Sequence, residues 1–566
     1  AVGTNGGTSI IRDDGTVANY KYTWTTVKSS GVGFGNQAFS QMMHTGYSSA
    51  GTGLVVYDYV GSGDSASSNL TGTLREYHNT TVPSIGVGSS TIGKHEQISD
   101  TKHAIGNVQY MALLDENPTT PSKGSVAYLT STYNSGYMTG DIKGAWLSDT
   151  DTTNVVGTEL VTNGTFDTDT TGWTAETGGS SIAWNASGYI DVTRLNSPTA
   201  GVFTVQQAIT GLVVGRVYYI TGTIITASVQ ASILVGDDNT GTPIYTDSHI
   251  LYSNNAETNG FGTFPAEAKL VFRATATTMY IGLGARSDAT GTATFDNISV
   301  RLADADRSVN NNGLQVNGTI TKTAVATGAD LVAYSGFSAS NYLEQPYNAD
   351  LNFGTGDFSI SGWFYKNGTD GNSAMFWRGR DSYNAGGHMM LVLSGGEVYC
   401  YSSNTAAWNN HIQGTTAIST GVWTHLCWTR SGGSNKVYIN GDLASTSTDS
   451  TSLIDNEAVC RLGARQNGND SSDGKQALWR ISATAPTAAQ IKEIYEAEKP
   501  MFQENAKCTL NGSSDAVQCM AYDDSTDLLH VGTSGGRSTF QGLVRVDETS
   551  INTTEISAQG GMIVEE

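Results

Sequence analysis

The chain has 566 residues, of which 14% are charged, and its formal net charge is −22. This acidic surplus excludes the basic surface that nucleic-acid binding requires, and no run reaches the roughly 18 consecutive apolar residues of a membrane-spanning helix. The 67 glycines, together with many Thr, Ser and Asn between short apolar segments, predict an all-β chain with short strands and tight turns. The length fits about three or four domains.

Two phrases occur near both ends of the chain. VGTNGGTS at 2–9 matches VGTSGGRS at 531–538, and VQYMALLD at 108–115 matches VQCMAYDD at 517–524. The C-terminal copies predict a strand, an Asp turn, a second strand, a Gly-Gly turn and a third strand over 540–546. This order is typical of one blade of a β-propeller.

We therefore interpret residues 1–154 and 500–566 as two parts of one β-propeller-like frame. The alternative is a hairpin motif shared by unrelated β-domains. Residue 1 is Ala and lies within the repeat pattern, which predicts a processed or incomplete product.

The N-terminal part holds one pattern with the residue types of a metal site. His95 and His103 stand near Glu96 and Asp100 in the stretch 94–103. Structural zinc sites use more closely spaced ligand pairs, and Gly and Ser turns flank this stretch. We favour a solvated loop here.

The cysteines indicate neither a disulfide framework nor a metal site. They are five in number, all in the C-terminal third, and none has CxxC spacing. We interpret most of them as small buried apolar side chains.

A separate module is predicted over 155–302. It opens with GTELVTNGTFDTDTTGW at 157–173, continues with GLVVGRVYYITGTI at 211–224 and closes with ATFDNISVRL at 293–302. These phrases resemble the carbohydrate-binding modules that have a galactose-binding-like jelly-roll β-sandwich. The resemblance implies a structural calcium ion, for which Glu159 and Asp296 occupy the matching positions.

The same resemblance implies that sugars stack on aromatic rings of this module, because the apolar face of a pyranose fits a flat ring. Trp184, Tyr245 and Tyr252 are the candidate carbohydrate-binding residues. Trp173 follows the Gly172 turn, and we interpret it as a core residue.

After a polar connector over 303–330, a second sandwich is predicted over 331–499. FGTGDFSISGWFY, GVWTHLCWTR, NKVYINGDLAS and CRLGARQNG follow one another in this region. Asn440-Gly441 predicts a type I′ hairpin, and 487–498 predicts a helix with a capping box, ended by Pro500. The phrases and their order resemble the laminin G-like, concanavalin A-like jelly rolls.

The candidate sugar-binding residues of the second sandwich are Trp377, Tyr401, Trp408, Asn409 and His411. For Trp377, in a strand-like segment, we favour the sandwich core, and for Trp408, in a polar segment, we favour exposure. Many relatives carry an acidic residue in the strand before the last helix, whereas this chain reads QALWRIS there. That departure weakens a calcium-dependent mechanism for this module.

No catalytic motif stands out: the sequence lacks HExxH, a Walker A loop and CxxC, so we expect no enzymatic activity. The arrangement of two jelly-roll β-sandwiches inserted into a propeller-like frame resembles virion proteins of tailed phages. This resemblance implies a tail fibre or similar appendage on the virion surface that binds host-cell glycans. It also implies contacts with other virion proteins and a homo-oligomer, most often a trimer.

Two other functions stay open. One is a secreted bacterial adhesin, or the accessory carbohydrate-binding part of a polysaccharide-degrading enzyme. The other is a purely structural virion component whose sandwiches pack only against neighbouring proteins.

Overall fold

The computed structural model describes the following residues: 9–11, 17–19, 39–48, 51–59, 73–77, 92–97, 102–107, 110–115, 124–175, 179–195, 205–236, 250–252, 265–286, 290–310, 312–368, 371–380, 387–404, 410–465, 470–523, 525–550, 556–559 and 562–565. Nearly all regular elements among them are strands, as the glycine-rich, charge-poor composition predicted.

The strands before the first module are β1 Ser9–Ile11, β2 Val17–Asn19, β3 Phe39–Ser48, β4 Gly51–Tyr59, β5 Thr73–Tyr77, β6 Ile92–Gln97, β7 Lys102–Asn107, β8 Met111–Asp115, β9 Ser125–Leu129 and β10 Met138–Thr139. Then come β11 Ile142–Trp146, β12 Val155–Gly157, β13 Thr174–Ala175, β14 Ser180–Asn185, β15 Tyr189–Arg194, β16 Val205–Thr210, β17 Val217–Ala227, β18 Gln230–Gly236, β19 Ile250–Tyr252, β20 Ala266–Arg273, β21 Thr278–Arg286, β22 Gly291–Asp304 and β23 Leu314–Ala324.

The second module contains β24 Val332–Ser335, β25 Tyr342–Gln345, β26 Phe358–Lys366, β27 Ser373–Gly379, β28 His388–Ser394, β29 Glu397–Ser403, β30 Asn410–Gln413, β31 Trp423–Ser431, β32 Ser434–Ile439, β33 Asp442–Thr448, β34 Val459–Leu462, β35 Gly474–Ser482 and α1 Ala488–Glu498. Short 3-10 helices span Ala349–Leu351 and Lys499–Phe502. The last strands are β36 Val517–Asp523, β37 Leu528–Thr533, β38 Gly536–Gln541, β39 Val544–Thr549, β40 Ile556–Gln559 and β41 Met562–Glu565.

The chain divides into two compact units. The first comprises 1–142, 497–501 and 505–566, and the second comprises 143–496 and 502–504. The first unit contains the five-stranded sheet β10-β9-β8-β7-β6 and the four-stranded sheet β36-β37-β38-β39. A propeller-like arrangement of these sheets stays a prediction.

Both copies of the VQxMA phrase contain a strand, β8 in one flank and β36 in the other. The predicted third strand of the C-terminal copy, 540–546, is wrong. Gly542 has a φ of +57° and lies in the turn between β38 and β39, so the segment is split between two strands.

The first sandwich belongs to the second unit and has two five-stranded sheets. Their strand orders are β14-β15-β22-β17-β20 and β13-β16-β21-β18-β19. Trp173 is buried between them beside Phe166, with 5.6 Å between ring centroids, which confirms its interpretation as a core residue.

The second sandwich also has two sheets, which we call the front sheet and the back sheet. The front sheet has the order β25-β34-β27-β28-β29-β30. The back sheet has the order β24-β35-β26-β31-β32-β33. Large apolar side chains fill the space between the sheets, among them Phe358, Phe364, Phe376, Leu391, Trp428 and Trp479.

One strand, β23, belongs to both sheets of the second sandwich. Its residues 314–317 pair with β22 and β25, whereas 318–324 pair with β12 and β24. The change occurs at Gly318, whose φ is +65° and whose Cβ would lie 2.4 Å from the carbonyl oxygen of Ser340. Only glycine meets both conditions without strain.

The two predicted local motifs of the second sandwich are confirmed. Asn440 and Gly441, between β32 and β33, have φ values of 52° and 79°, as a type I′ turn requires. At the start of α1, the Gln490 amide donates to the Thr487 hydroxyl oxygen at 3.3 Å, and the Thr487 amide donates to Gln490 Oε1 at 2.9 Å. These bonds form a capping box.

A buried ion pair links Lys322, a residue of β23, to Asp149. Lys322 Nζ is 2.6 Å from Asp149 Oδ2, and the lysine side chain is fully buried. Burial alone would raise the pKa of Asp149, but the charges of Lys322 and Arg307 and several hydrogen bonds outweigh it and lower that pKa. The pair therefore stabilises the fold above the usual aspartate pKa, and its contribution is lost as acidification passes the lowered value.

Within the described part of the chain, no helix has the length and apolar character that a membrane crossing would need.

We expect Lys322→Met to destabilise the second unit by about 3 kcal/mol, because it leaves the Asp149 carboxylate buried without its partner. The double variant Lys322→Met/Asp149→Asn should recover more than half of this loss. Denaturant unfolding of the single and double variants measures both. Lys492→Met, which removes an exposed pair with Asp442, is the control and should have little effect. Equal losses in the control and in Lys322→Met would contradict the prediction.

Candidate functional site

The strands of the front sheet send alternate side chains to opposite faces. On β28, Met389, Leu391 and Leu393 enter the core between the sheets. Met390 and Val392 lie on the outer face. The outer face is therefore partly apolar, which is unusual for the solvent side of a sandwich.

The register of the front sheet aligns three sequence-predicted site residues. Trp377 pairs with Met390, Met390 with Tyr401, and Tyr401 with His411. Trp377, Tyr401 and His411 therefore occupy one row across β27 to β30. We call Tyr401, His411 and Tyr399, which lies on the same face of β29 as Tyr401, the aromatic face.

The rings of the aromatic face lie within contact range of one another. Tyr399 and Tyr401 are 6.0 Å apart between centroids with an interplanar angle of 13°. His411 is 5.5 Å from Tyr401 and 6.3 Å from Tyr399. Burial, and then Tyr399, raises the pKa of Tyr401. His411 is exposed and the two tyrosines are half-buried, so part of each ring is accessible to a ligand.

Trp377 lies beneath the aromatic face and not in the core between the sheets. It is 1% exposed and packs with Ala374, Met390 and Val392. A Cβ on Gly379 would lie 2.5 Å from its indole, so glycine at that position leaves room for the ring. Trp377 supports the accessible rings and is itself covered.

Tyr399 was missed by the sequence analysis. It lies two residues before Tyr401 in EVYCYSS, and the period of two places both side chains on one face of the strand. Applying this alternation to the segment would have identified the pair.

The rim of the aromatic face is polar. The side-chain amide of Gln413 donates to Glu397 Oε2, and Gln413 pairs in register with Tyr399. Asn404 is exposed just after β29. Amide and carboxylate groups beside aromatic rings are suited to sugar hydroxyls.

Three predicted site residues cannot be placed. Trp408, Asn409 and Tyr245 lie outside the described residues. Tyr252 ends β19, and the description of that strand does not extend to its side chains. The stretch around His95 and His103 was interpreted as a solvated loop, which is wrong: both histidines lie in the paired strands β6 and β7. The description of these strands likewise does not extend to their side chains.

The outer face of the back sheet is covered. Trp363 stacks on Phe502 at 4.2 Å and on Tyr495 of α1 at 5.7 Å. Ile491 of α1 packs on two further side chains of that face, those of Cys427 and Tyr438. On the outer face of the front sheet, in contrast, the described side chains of Tyr399, Tyr401 and His411 are partly or fully exposed.

The first sandwich presents one exposed indole. Trp184 is 42% exposed, and its Nε1 donates to the carbonyl oxygen of Phe166 at 2.7 Å. Asp167 follows Phe166, and burial together with the Asp167 charge raises the pKa of Asp296. A fixed ring and two carboxylates thus form a small exposed corner.

The residues predicted to hold calcium do not fit that ion at Glu159. Its Oε1 accepts the backbone amides of Leu160, Val161 and Val300, at 2.9–3.0 Å. Its Oε2 accepts the Ser299 hydroxyl and lies 3.2 Å from Arg301 Nε. A calcium ligand would direct these oxygens to the cation.

A guanidinium occupies an oxygen-rich rim in the second sandwich. Arg378 donates to the carbonyl oxygens of Gly387, Leu453 and Asp455 and to Asn352 Oδ1. Such oxygens could also ligate calcium, but here the arginine satisfies them. Across the described ranges, no group of three or more His, Cys, Asp or Glu side chains could hold a metal ion.

Comparison with family models gives one match. Residues 337–492 match the Laminin_G_3 model, described as the concanavalin A-like lectin/glucanases superfamily. The matched residues lie in the second sandwich and include the aromatic face. A comparison with curated proteins finds no match.

Solved structures with similarity to the chain include domain 4 of AbnA, a GH43 extracellular arabinanase from Geobacillus stearothermophilus, in complex with arabinotriose (22% identity, 34% of this chain and 92% of that chain, TM-score 0.28). The receptor-binding domain of botulinum neurotoxin C/D mosaic serotype has 12% identity, with 42% of this chain, 59% of that chain and a TM-score of 0.29. The CBM40 of the Ruminococcus gnavus IT-sialidase, bound to α2,3 sialyllactose, has 12% identity, with 27% of this chain, 92% of that chain and a TM-score of 0.23. At these values none of the three carries an argument about the function of this chain.

The donors around Glu159 predict a fold that does not depend on calcium at this position. We expect Tm to be the same with EDTA and with added calcium. Glu159→Gln should lower stability by about 1 kcal/mol in both conditions, because it breaks the Arg301 pair and weakens the hydrogen bonds that the partly buried carboxylate accepts. A fall of the wild-type Tm in EDTA would contradict this account.

Proposed function

We propose that this chain is a non-catalytic glycan-binding protein and that the aromatic face is its principal binding site. The observation that supports this proposal is the cluster of partly exposed rings of Tyr399, Tyr401 and His411 on the outer side of the front sheet, beside the Gln413–Glu397 pair. A pyranose can stack its apolar face on such rings while its hydroxyls bond with the rim. The lectin/glucanase family model that matches 337–492 supports a glycan as the ligand.

The proposal includes that the protein binds the glycan without hydrolysing its glycosidic bonds. Glycosidases place two carboxyl groups on opposite sides of the scissile bond, about 5–9.5 Å apart. The described residues of the aromatic face and its rim include one carboxylate, that of Glu397, and it is hydrogen-bonded to Gln413. This arrangement suits binding better than acid–base catalysis.

We further propose that the protein belongs to the virion surface of a tailed phage, as part of a tail fibre or a similar appendage. The support for this proposal is the resemblance of its predicted module arrangement to such virion proteins. Single glycan contacts are weak, and an oligomer, most often a trimer, would add avidity by presenting several copies of the site. A secreted adhesin or an accessory module of a polysaccharide-degrading enzyme would use the same face. A purely structural virion component would instead cover it with a neighbouring protein.

The Trp184 corner is a second candidate contact for glycans. Its indole is held by Phe166 and remains partly exposed beside the carboxylates of Asp167 and Asp296. A ring that is already fixed loses little entropy when a sugar stacks on it. Trp184→Ala is expected to weaken binding less than loss of the aromatic face does.

We expect Tyr399→Ala and Tyr401→Ala each to weaken binding to a retained polysaccharide about ten-fold, because each removes a central stacking ring. Tyr401→Phe should keep most of the affinity. Titration of the purified chain against bacterial surface polysaccharides measures the effect, and reducing ends are assayed in the same samples.

The matched control is Tyr365→Ala, whose ring packs on Trp423 in the back sheet. It should leave affinity unchanged, and thermal unfolding confirms that each variant is folded. Equal losses in Tyr365→Ala and Tyr401→Ala would refute the aromatic face as the site. New reducing ends would refute the non-catalytic assignment.

A further inference from the structure

We propose that the aromatic face binds neutral glycans and disfavours polyanionic ones such as sialylated, uronic-acid-rich or sulfated chains. This inference rests on the proposed function and names the ligand class of the same site. It comes from the distribution of charge around the rings.

The segment that builds the accessible part of the face carries no cationic residue. Residues 381–429 contain neither Lys nor Arg, and they include β28, β29 and β30. Proteins bind carboxylate and sulfate groups chiefly through Arg and Lys, and Arg gives the bidentate geometry that such anions prefer. This segment cannot supply either residue.

The arginines of the neighbouring strands are already engaged. Arg461, in the same row as Trp377, is 5% exposed and bonds with Glu344. Its guanidinium also lies over the Tyr342 ring at 4.9 Å. An anionic sugar would have to break this buried pair to use the Arg461 charge.

The arginines at the end of β27 are engaged as well. Arg378 is 1% exposed and donates to three backbone carbonyls. Arg380 pairs with Asp455 at 2.7 Å and with Glu457 at 2.6 Å. The Arg378 charge is therefore directed into the protein, and the Arg380 charge is matched by two carboxylates.

The charged side chain described at the rim of the aromatic face is that of Glu397, and its charge is negative. Glu397 accepts a hydrogen bond from Gln413, the register partner of Tyr399. A carboxylate there can accept bonds from sugar hydroxyls but repels a carboxylate or sulfate on the ligand. The net charge of −22 adds a repulsive long-range field at low salt. Specificity of this kind comes from a repulsive element as much as from attraction.

The test uses the neutral polysaccharide that the wild-type chain retains best, together with two derivatives of it. One derivative is carboxymethylated and the other is hydroxyethylated to the same degree, so that only the first adds charge. Binding is titrated at one fixed pH, in about 0.02 M and about 0.2 M salt. The proteins are the wild type, Glu397→Gln and the control Glu493→Gln, which lies on α1 over the opposite sheet.

We expect the carboxymethyl derivative to bind at least about ten-fold more weakly than the hydroxyethyl derivative at low salt. This ratio of affinities should be smaller at high salt. Glu397→Gln should lower the ratio of the two affinities about two- to four-fold, whereas Glu493→Gln should leave this ratio unchanged. Equal or tighter binding of the carboxymethyl derivative would overturn this inference but not the proposed function. So would equal effects of the two substitutions. Retention of no glycan at all, neutral or acidic, would overturn the proposed function and this inference together.

Discussion

The pairing of strand β23 is the constraint on which the second unit depends. Its first residues bond with β22 and β25, and after the bend at Gly318 its last residues bond with β12 and β24. Strand β22 is also a central strand of the first sandwich, so one polypeptide segment ties both sandwiches together. The buried Lys322–Asp149 pair anchors the later part of the same strand. Strand β23 therefore joins β25, at the edge of the front sheet, to β24, at the edge of the back sheet.

The aromatic residues on the two outer faces of the second sandwich differ in burial. Helix α1 and Phe502 bury the aromatic residues of the back sheet, including Trp363. On that face His425 is buried, and burial with the Arg480 charge lowers its pKa to about 3, so its imidazole stays neutral. The front sheet instead leaves Tyr399, Tyr401 and His411 accessible over a buried Trp377. Rigid strands thus hold the rings, which reduces the ordering cost of binding a flexible glycan.

Local patterns in the sequence predicted local structure well, but they did not specify which distant strands pair. Asn440-Gly441 and the Thr487–Gln490 spacing each specify a conformation within a few residues, and both predictions are confirmed. Residues 303–330 were predicted as a polar connector that passes into extended structure, and they contain β23. The sequence could not identify its partner strands, because one of them, β12, lies about 160 residues earlier in the chain. Trp377 was expected to be buried in the sandwich core; it is buried, but in a cluster on the outer face of the front sheet. Alternation within β27 permits either face, and only the register with Met390 and Tyr401 decides between them.

The most direct test of the account is amide hydrogen exchange of the chain with and without a saturating neutral polysaccharide. Exchange reports local opening strand by strand, so it locates the bound ligand without any substitution. The account predicts slower exchange in β28, β29 and β30, with little change in α1 and the back sheet. Slower exchange confined to the back sheet or to the first sandwich, with β29 unchanged, would contradict the assignment of the aromatic face as the binding site.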